Sequence, residues 1–111
     1  MLNAPILVGD MLRRNARHFP TKCAIYCSGI GITWEELNST SNKWANALLD
    51  DGIGKGDKVV IMANNSTKWV QSYFASAKTG TISVIVPTIM PNNERLALLE
   101  ATRPKWGMML I

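Results

Sequence analysis

The stretch of this sequence most suggestive of chemistry is the glycine-rich run Gly52-Ile53-Gly54-Lys55-Gly56-Asp57. Glycines beside a lysine can cradle a phosphate when the loop follows a strand and opens a helix, because the helix N-terminus then meets the anion. Here a helical pattern precedes the run and a strand pattern follows it, and the spacing matches neither GxGxxG nor GxxxxGK[ST]. The run therefore predicts a helix-to-strand connector that Lys55 keeps in solvent.

Two cysteines, Cys23 and Cys27, are the next candidates for chemistry. Both fall on one predicted strand, where a spacing of four puts them on the same face with Cα atoms about 13 Å apart, too far for a disulfide. A zinc site would lack ligands, because the chain has no third cysteine and a single histidine. We expect packed, reduced thiols of a cytoplasmic protein.

The charge of the chain is mildly basic, at +4 from 12 Lys and Arg against 8 Asp and Glu. Only Arg13, Arg14 and Arg17 are grouped, and their spacing favours a solvated helix face over an anion site. A nucleic-acid surface needs a concentrated basic face with aromatic stacking groups, so we expect no nucleic-acid partner. A mitochondrial presequence is disfavoured, because residues 1–20 contain Asp10 and no serine. No run approaches the roughly 18 apolar residues of a transmembrane segment.

Helical and strand patterns alternate along the chain, most clearly from Ile32 to Pro87, and this alternation is typical of an α/β fold with a mostly parallel sheet. Apolar spacing and turn residues predict a helix over Val8 to His18, and then a hairpin with a strand over Lys22 to Cys27, a turn at Ser28, Gly29 and Gly31, and a return strand that begins with Ile30 and Ile32. A helix capped by Thr33 and Glu36 and ended by Gly52 follows, then a strand over Lys58 to Ala63, a helix between Ser66 and Gly80 and a strand over Ile82 to Val86. The last two elements are a helix capped by Asn92 or Asn93 and closed by Pro104, and a strand over Trp106 to Ile111.

Apolar residues at helical spacing predict which face of each helix is buried. The residues of the predicted buried face are Leu7, Met11, Leu12, Ala16 and Phe19 in the first helix, Leu37, Ser41, Trp44, Ala45, Leu48 and Leu49 in the second, Trp69, Val70, Tyr73, Phe74 and Ala77 in the third, and Leu96 and Leu99, with Leu98 beside them, in the last. The aromatic residues of the third helix favour core packing over a cofactor site.

The order and the residue patterns of these segments resemble the N-terminus of the adenylate-forming enzymes, above all bacterial acyl-CoA synthetases of the fatty-acid or aryl-acid kind. The matching segments are GDMLRRNARHFPTKCAI, ITWEELNSTSNKWANALLDDGIGKGDKVVIM and NNSTKWVQSYFASAKTGTISVIVP, in one register. ITWEEL is similar to the first core motif of that family, and ASAKTGTISVIVP is similar to the second. Thr79 departs from the alanine that is usual there.

The resemblance implies a ligase that forms an acyl-adenylate from ATP and a carboxylic acid, with Mg²⁺, and then passes the acyl group to coenzyme A. It carries over no catalytic, cofactor-binding or metal-binding residue, because the family's phosphate loop, ribose-binding Asp and catalytic Lys match no position here. We therefore expect residues 1–111 to be the first part of the large N-terminal domain, truncated after Ile111, inactive alone, and covered by the remainder of the ligase. A stand-alone, non-catalytic α/β interaction module is the alternative.

One place for a ligand follows from the fold class alone. Asn64 and Asn65 come directly after the strand that ends at Ala63. Ligands of open α/β sheets bind outside the carboxyl ends of the strands, so this is the edge to inspect.

Overall fold

The computed structural model describes residues 8–64 and 66–110, with side chains except at residues 106–110. In this part of the chain the elements are α1 (Val8–His18), β1 (Cys23–Cys27), β2 (Ile30–Thr33), α2 (Trp34–Asp50), β3 (Lys58–Ala63), α3 (Thr67–Thr79), β4 (Ile82–Ile85), α4 (Asn92–Thr102) and β5 (Trp106–Leu110). The predicted α/β alternation is confirmed. The predictions for Leu7, Asn65 and Ile111, and for burial of the last strand's side chains, lie outside the described residues.

The main sheet has the strand order β4-β3-β5, and both pairings are parallel. β1 and β2 form a separate antiparallel hairpin, whose two-residue loop takes positive φ at both Ser28 and Gly29. This is the backbone that tight hairpins require, and it agrees with the turn predicted there. The central strand β3 is buried at Val59, Val60 and Ile61, as expected of a strand covered on both faces.

α2 begins where the Thr33 hydroxyl accepts a hydrogen bond from the Glu36 N–H at 3.1 Å. The Glu36 carboxylate reaches back and accepts a hydrogen bond from the Thr33 hydroxyl at 3.0 Å. Thr33 is also the last residue of β2 and pairs with Cys23. Past the end of the helix, Gly52 has φ 81°, the left-handed conformation predicted for it.

α1, α2 and α3 pack on one another, and α3 lies against the main sheet. Leu12 of α1 and Leu37 of α2 are almost completely buried, and each such side chain contributes about 1.5–3 kcal/mol of transfer free energy. Leu48, Ile53, Val59 and Ile61 form a core cluster between α2 and β3. α3 therefore packs between the main sheet and the other two helices.

The buried face of α3 differs from the prediction. Its buried residues are Gln71, Ser72, Ala75, Ser76 and Thr79, which lie two positions, or about 200° on a helix, from the predicted stripe. Small side chains let α3 approach its neighbours closely, so they occupy the most buried positions. The predicted aromatics are half-buried, and Trp69 and Tyr73 pack against the edge of the core cluster, stacked with ring centroids 5.8 Å apart. The prediction that the aromatic residues of α3 serve in packing is confirmed for Trp69 and Tyr73. The prediction that they lie on the most buried face of α3 is wrong.

The hydroxyls at the end of α3 form a closed network with the start of β4. Ser76 is completely buried, and its hydroxyl lies 2.5 Å from that of Thr81 and accepts from that of Ser83 at 2.7 Å. Thr79 donates to the Ser76 carbonyl at 2.8 Å. Threonine in place of the usual alanine is therefore accommodated, because its hydroxyl has a local acceptor.

α4 differs from the prediction in its cap and in the burial of its side chains. The capping prediction for Asn92 and Asn93 is wrong: Pro91 is the N-cap residue and no side chain caps the helix, because Asn92 is already helical. Leu96 was expected to face inward but is 60% exposed, and α4 contributes no buried residue. β4 is an edge strand with exposed Ile82 and Ile85.

Three further apolar residues predicted to be buried are exposed: Met11, Phe19 and Leu49. Met11 and Leu49 each neighbour a buried leucine and lie about 100° beyond it around the helix, so they fall at the margin of a narrow buried stripe. Phe19 follows the last residue of α1 and is covered in part by the Lys22 ammonium, 4.9 Å from its ring centroid.

Candidate functional site

Polar side chains from two loops and one helix converge at the carboxyl edge of the parallel sheet. Asn64 follows β3 and Thr88 lies just beyond β4, and the Thr88 hydroxyl donates to Asn64 Oδ1 at 2.9 Å. Arg95, in the first turns of α4, donates from its guanidinium to the Thr88 carbonyl. The Nε atom of Arg95 is buried, with no hydrogen-bond partner within the described part of the chain.

This carboxyl-edge cluster of Asn64, Thr88 and Arg95 can hold an anion, because a guanidinium, an amide and a hydroxyl are the groups that bind carboxylate or phosphate. It contains no nucleophile paired with a base, so it can position a group but not activate one. Asn64 lies at the predicted edge, and Asn65 lies outside the described residues. Sequence reasoning missed Thr88 and Arg95, although Thr88 follows a strand in the same way as Asn64.

The glycine run is a connector between α2 and β3, as predicted. Asp57 Oδ2 accepts from the Gly54 N–H at 2.9 Å, and Lys105 Nζ lies 3.5 Å from the same oxygen while donating to the Gly52 carbonyl at 3.1 Å. The Gly54 N–H, aided by the Lys105 charge, holds the pKa of Asp57 below its usual value. Lys55 is exposed, as predicted.

Both cysteines are free, but the prediction that they pack on one face is wrong for Cys23, which is exposed while Cys27 is half-buried. The physical reason is an irregularity in the β1–β2 register between Cys23 and Ile25. Such a bulge breaks the two-residue alternation on which the prediction depended.

The arginine group has the predicted solvated face. Arg13, Arg14 and Arg17 are all exposed. Arg13 forms an ion pair with Asp10 one turn away. On the buried side of α1, the Lys78 ammonium donates to Asn38 Oδ1 at 2.8 Å, and burial, with the nearby Arg13 charge, lowers the pKa of Lys78.

A cavity of about 160 Å³ lies between α2, α3 and β3. Leu48, Val59 and Ala75 form its buried lining, while Ala47 and Asp51 are exposed. Val59 is the second residue of β3, so the cavity lies toward the amino end of the strands and away from the carboxyl-edge cluster. No sequence pattern predicts this cavity, because its lining comes from three separate elements.

Comparison with known protein families identifies the family of this chain. Residues 12–109 match the model of the family described as AMP-binding enzyme. The chain belongs to the AMP-binding enzyme family. It is similar to a fatty acid–[acyl-carrier-protein] ligase, ScoC, of Streptomyces coeruleorubidus, with 34% identity over 88 residues, which cover 79% of this chain and 16% of ScoC.

Solved structures of adenylating proteins share the fold of this AMP-binding family chain. The anthranilate CoA ligase AuaEII, in complex with anthranoyl-AMP, superposes with a TM-score of 0.90 at 26% identity over 97% of this chain and 21% of that one. The N-terminal subdomain of Klebsiella oxytoca NpsA has a TM-score of 0.86 at 24% identity, over 93% and 27% of the two chains, a likeness of fold alone. The chain thus spans less than a third of these proteins.

A family named for AMP binding implies a nucleotide and Mg²⁺, and the glycine run of this chain does not fit a phosphate. The Gly54 N–H, a donor that a phosphate in the glycine run would use, is already bound to Asp57. Across residues 8–64 and 66–110, no group of three or more His, Cys, Asp or Glu side chains comes together. In the same residues, no helix has the length and apolar character needed to cross a bilayer.

Proposed function

We propose that this chain is part of an ATP-dependent carboxylic acid–CoA ligase and serves in it as scaffold. The observation that carries the proposal is the match of residues 12–109 to the AMP-binding family. ATP would supply the adenylyl group that activates the acid, and coenzyme A would accept the acyl group. The substrate class is a carboxylic acid, since the names of the relatives span a fatty-acid ligase and an anthranilate ligase.

The role of the described residues in this proposal is to build and hold the first strands of a larger sheet. The hydroxyl network around Ser76 joins α3 to β4, and Arg95 joins α4 to the loop after β4. Neither arrangement contains a group poised for proton transfer or nucleophilic attack. The scaffold assignment therefore names no catalytic, cofactor-binding or metal-binding residue in this chain.

The remainder of the ligase is the partner in this proposal. Several exposed apolar side chains lie in and around β4 and α4, where Ile89 is 91% and Leu96 60% exposed. Patches of this kind are usually covered by protein. We also propose that the protein is cytoplasmic. Cys23 and Cys27 are free thiols, and CoA ligation of this kind needs no oxidising compartment.

The proposal is tested by reading the DNA downstream of the codon for Ile111. We expect an in-frame Ser/Thr/Gly-rich loop followed by Pro-Lys-Gly, which would carry the phosphate chemistry missing here. A stop codon directly after Ile111 would contradict the proposal and favour a non-catalytic interaction module.

A further inference from the structure

The cavity between α2, α3 and β3 is suited to an apolar guest. Its volume of about 160 Å³ is close to that of an engineered apolar cavity of about 150 Å³ that stays dry and binds benzene. Leu48, Val59 and Ala75 line it with hydrocarbon, and the Ser72 hydroxyl at its wall donates to the Lys68 carbonyl at 2.7 Å. Water inside would find few polar partners, so an apolar ring is the better occupant.

The mouth of the cavity carries a negative charge in an unfavourable place. Asp51 lines the cavity and is the C-cap residue of α2, next to Asp50. The C-terminal end of a helix is the negative end of its dipole. The last turn of α2 has no basic residue of its own, and the Lys105 ammonium that donates to the Gly52 carbonyl is shared with Asp57. A cation at the mouth would relieve this repulsion.

The aromatic wall of the cavity adds a second preference for a cation. Trp44 lines the same cavity one turn before Leu48, and an indole face attracts both aromatic rings and ammonium groups. The cavity thus offers a hydrocarbon floor, an indole wall and a carboxylate at the opening.

We propose that this cavity binds a small aromatic ammonium compound, with its ring against Val59 and Ala75 and its ammonium group at the Asp51 carboxylate. The site is independent of the proposed ligase function, because it lies toward the amino end of the strands and uses none of the residues at the carboxyl edge.

The test is an NMR titration of the 111-residue chain with three probes that share one ring: benzylammonium, benzyl alcohol and benzoate. We expect amide shifts confined to the cavity lining, and binding of benzylammonium about three-fold tighter than of benzyl alcohol at low salt, as for an exposed ion pair. Added salt should reduce this preference, and benzoate should bind most weakly.

Two variants at the mouth of the cavity and two matched controls locate the site without disturbing the core, since all four residues are exposed. Ala47→Leu places a larger side chain at the mouth and should abolish binding of all three probes, whereas Ala97→Leu, the same change on exposed α4, should not. Asp51→Asn should reduce the preference for benzylammonium over benzyl alcohol, whereas Asp50→Asn should keep most of it.

Three results would overturn the proposal. The first is the absence of localised shifts with benzylammonium in a sample whose spectrum is well dispersed. The second is benzoate binding as tightly as benzylammonium. The third is binding that survives Ala47→Leu, which would place the probe elsewhere on the chain.

Discussion

Asp57 accepts a hydrogen bond from the backbone N–H of Gly54 at 2.9 Å, across the glycine-rich loop that joins α2 to β3. The loop is thus closed by its own carboxylate, with Lys105 bracing it from the start of β5. A phosphate in this loop would have to displace that carboxylate. The glycine residues therefore serve the turn, and the loop fixes where β3 begins.

Replacement of Asp57 by asparagine is expected to lower the melting temperature at neutral pH. The pKa of Asp57 is lowered in the folded protein, so the carboxylate stabilises the fold above the unfolded pKa of about 4 and loses this effect as the pH falls through the folded pKa. The melting temperatures of wild type and Asp57→Asn should therefore converge in acid. Asp50→Asn is the matched control, and a constant difference down to pH 2 would refute the assignment.

The ammonium of Lys78 should titrate below its usual pKa of 10.5. Because its folded pKa lies below the unfolded value, protonated Lys78 costs stability, and this cost disappears as the pH rises from the folded toward the unfolded pKa. Arg13→Gln should raise the pKa of Lys78, since the Arg13 charge lowers it. Carbon-13 NMR of the Lys78 ε-carbon measures this directly, with Arg14→Gln as control. A lower pKa in Arg13→Gln would contradict the account.

The cap of α2 should be measurable in the stability of the chain. Thr33→Ala removes the oxygen that accepts from the Glu36 N–H and should cost about 1 kcal/mol of unfolding free energy. Thr33→Ser keeps this oxygen and should recover most of the loss. Urea denaturation followed by far-ultraviolet circular dichroism gives both values. Equal losses in the two variants would show that the threonine methyl group, rather than the cap, stabilises this position.

Core and surface isoleucines should differ sharply when they are truncated. Ile61 is fully buried in the core cluster, so Ile61→Ala should cost about 2–5 kcal/mol. Ile89 is 91% exposed, so Ile89→Ala should change stability by less than about 0.5 kcal/mol. The same denaturation experiment compares them. A large loss for Ile89→Ala would mean that another part of the chain covers this residue.

The elements were readily predicted because local chemistry marks their ends. Thr33 and Ser66 cap their helices by side-chain oxygens that accept from the N–H three residues on, and Gly80 ends α3 in the left-handed conformation. The strand over Lys58 to Ala63 was predicted with its observed bounds, because continuous apolar β-branched residues favour a strand covered on both faces. These signals need no knowledge of the tertiary fold.

Burial and the candidate sites were harder to predict, because they depend on which helix faces and which loops come into contact in the tertiary fold. On α3, two stripes with the same helical spacing compete, and the small residues Ser72 and Ser76 are more buried than Tyr73, because close helix packing favours small side chains. The contact of Thr88 with Asn64 joins residues 24 apart in sequence. No local pattern encodes such a separation.

The central claim is that this chain supplies scaffold to an adenylate-forming ligase and does not perform the chemistry itself. The most direct measurement is acid-dependent exchange of labelled pyrophosphate into ATP, comparing the 111-residue chain with the same reading frame extended through a downstream phosphate loop and C-terminal lysine. We predict no exchange above background for the chain and clear exchange for the extended protein. Exchange by the 111 residues alone, dependent on an added carboxylic acid, would contradict the claim.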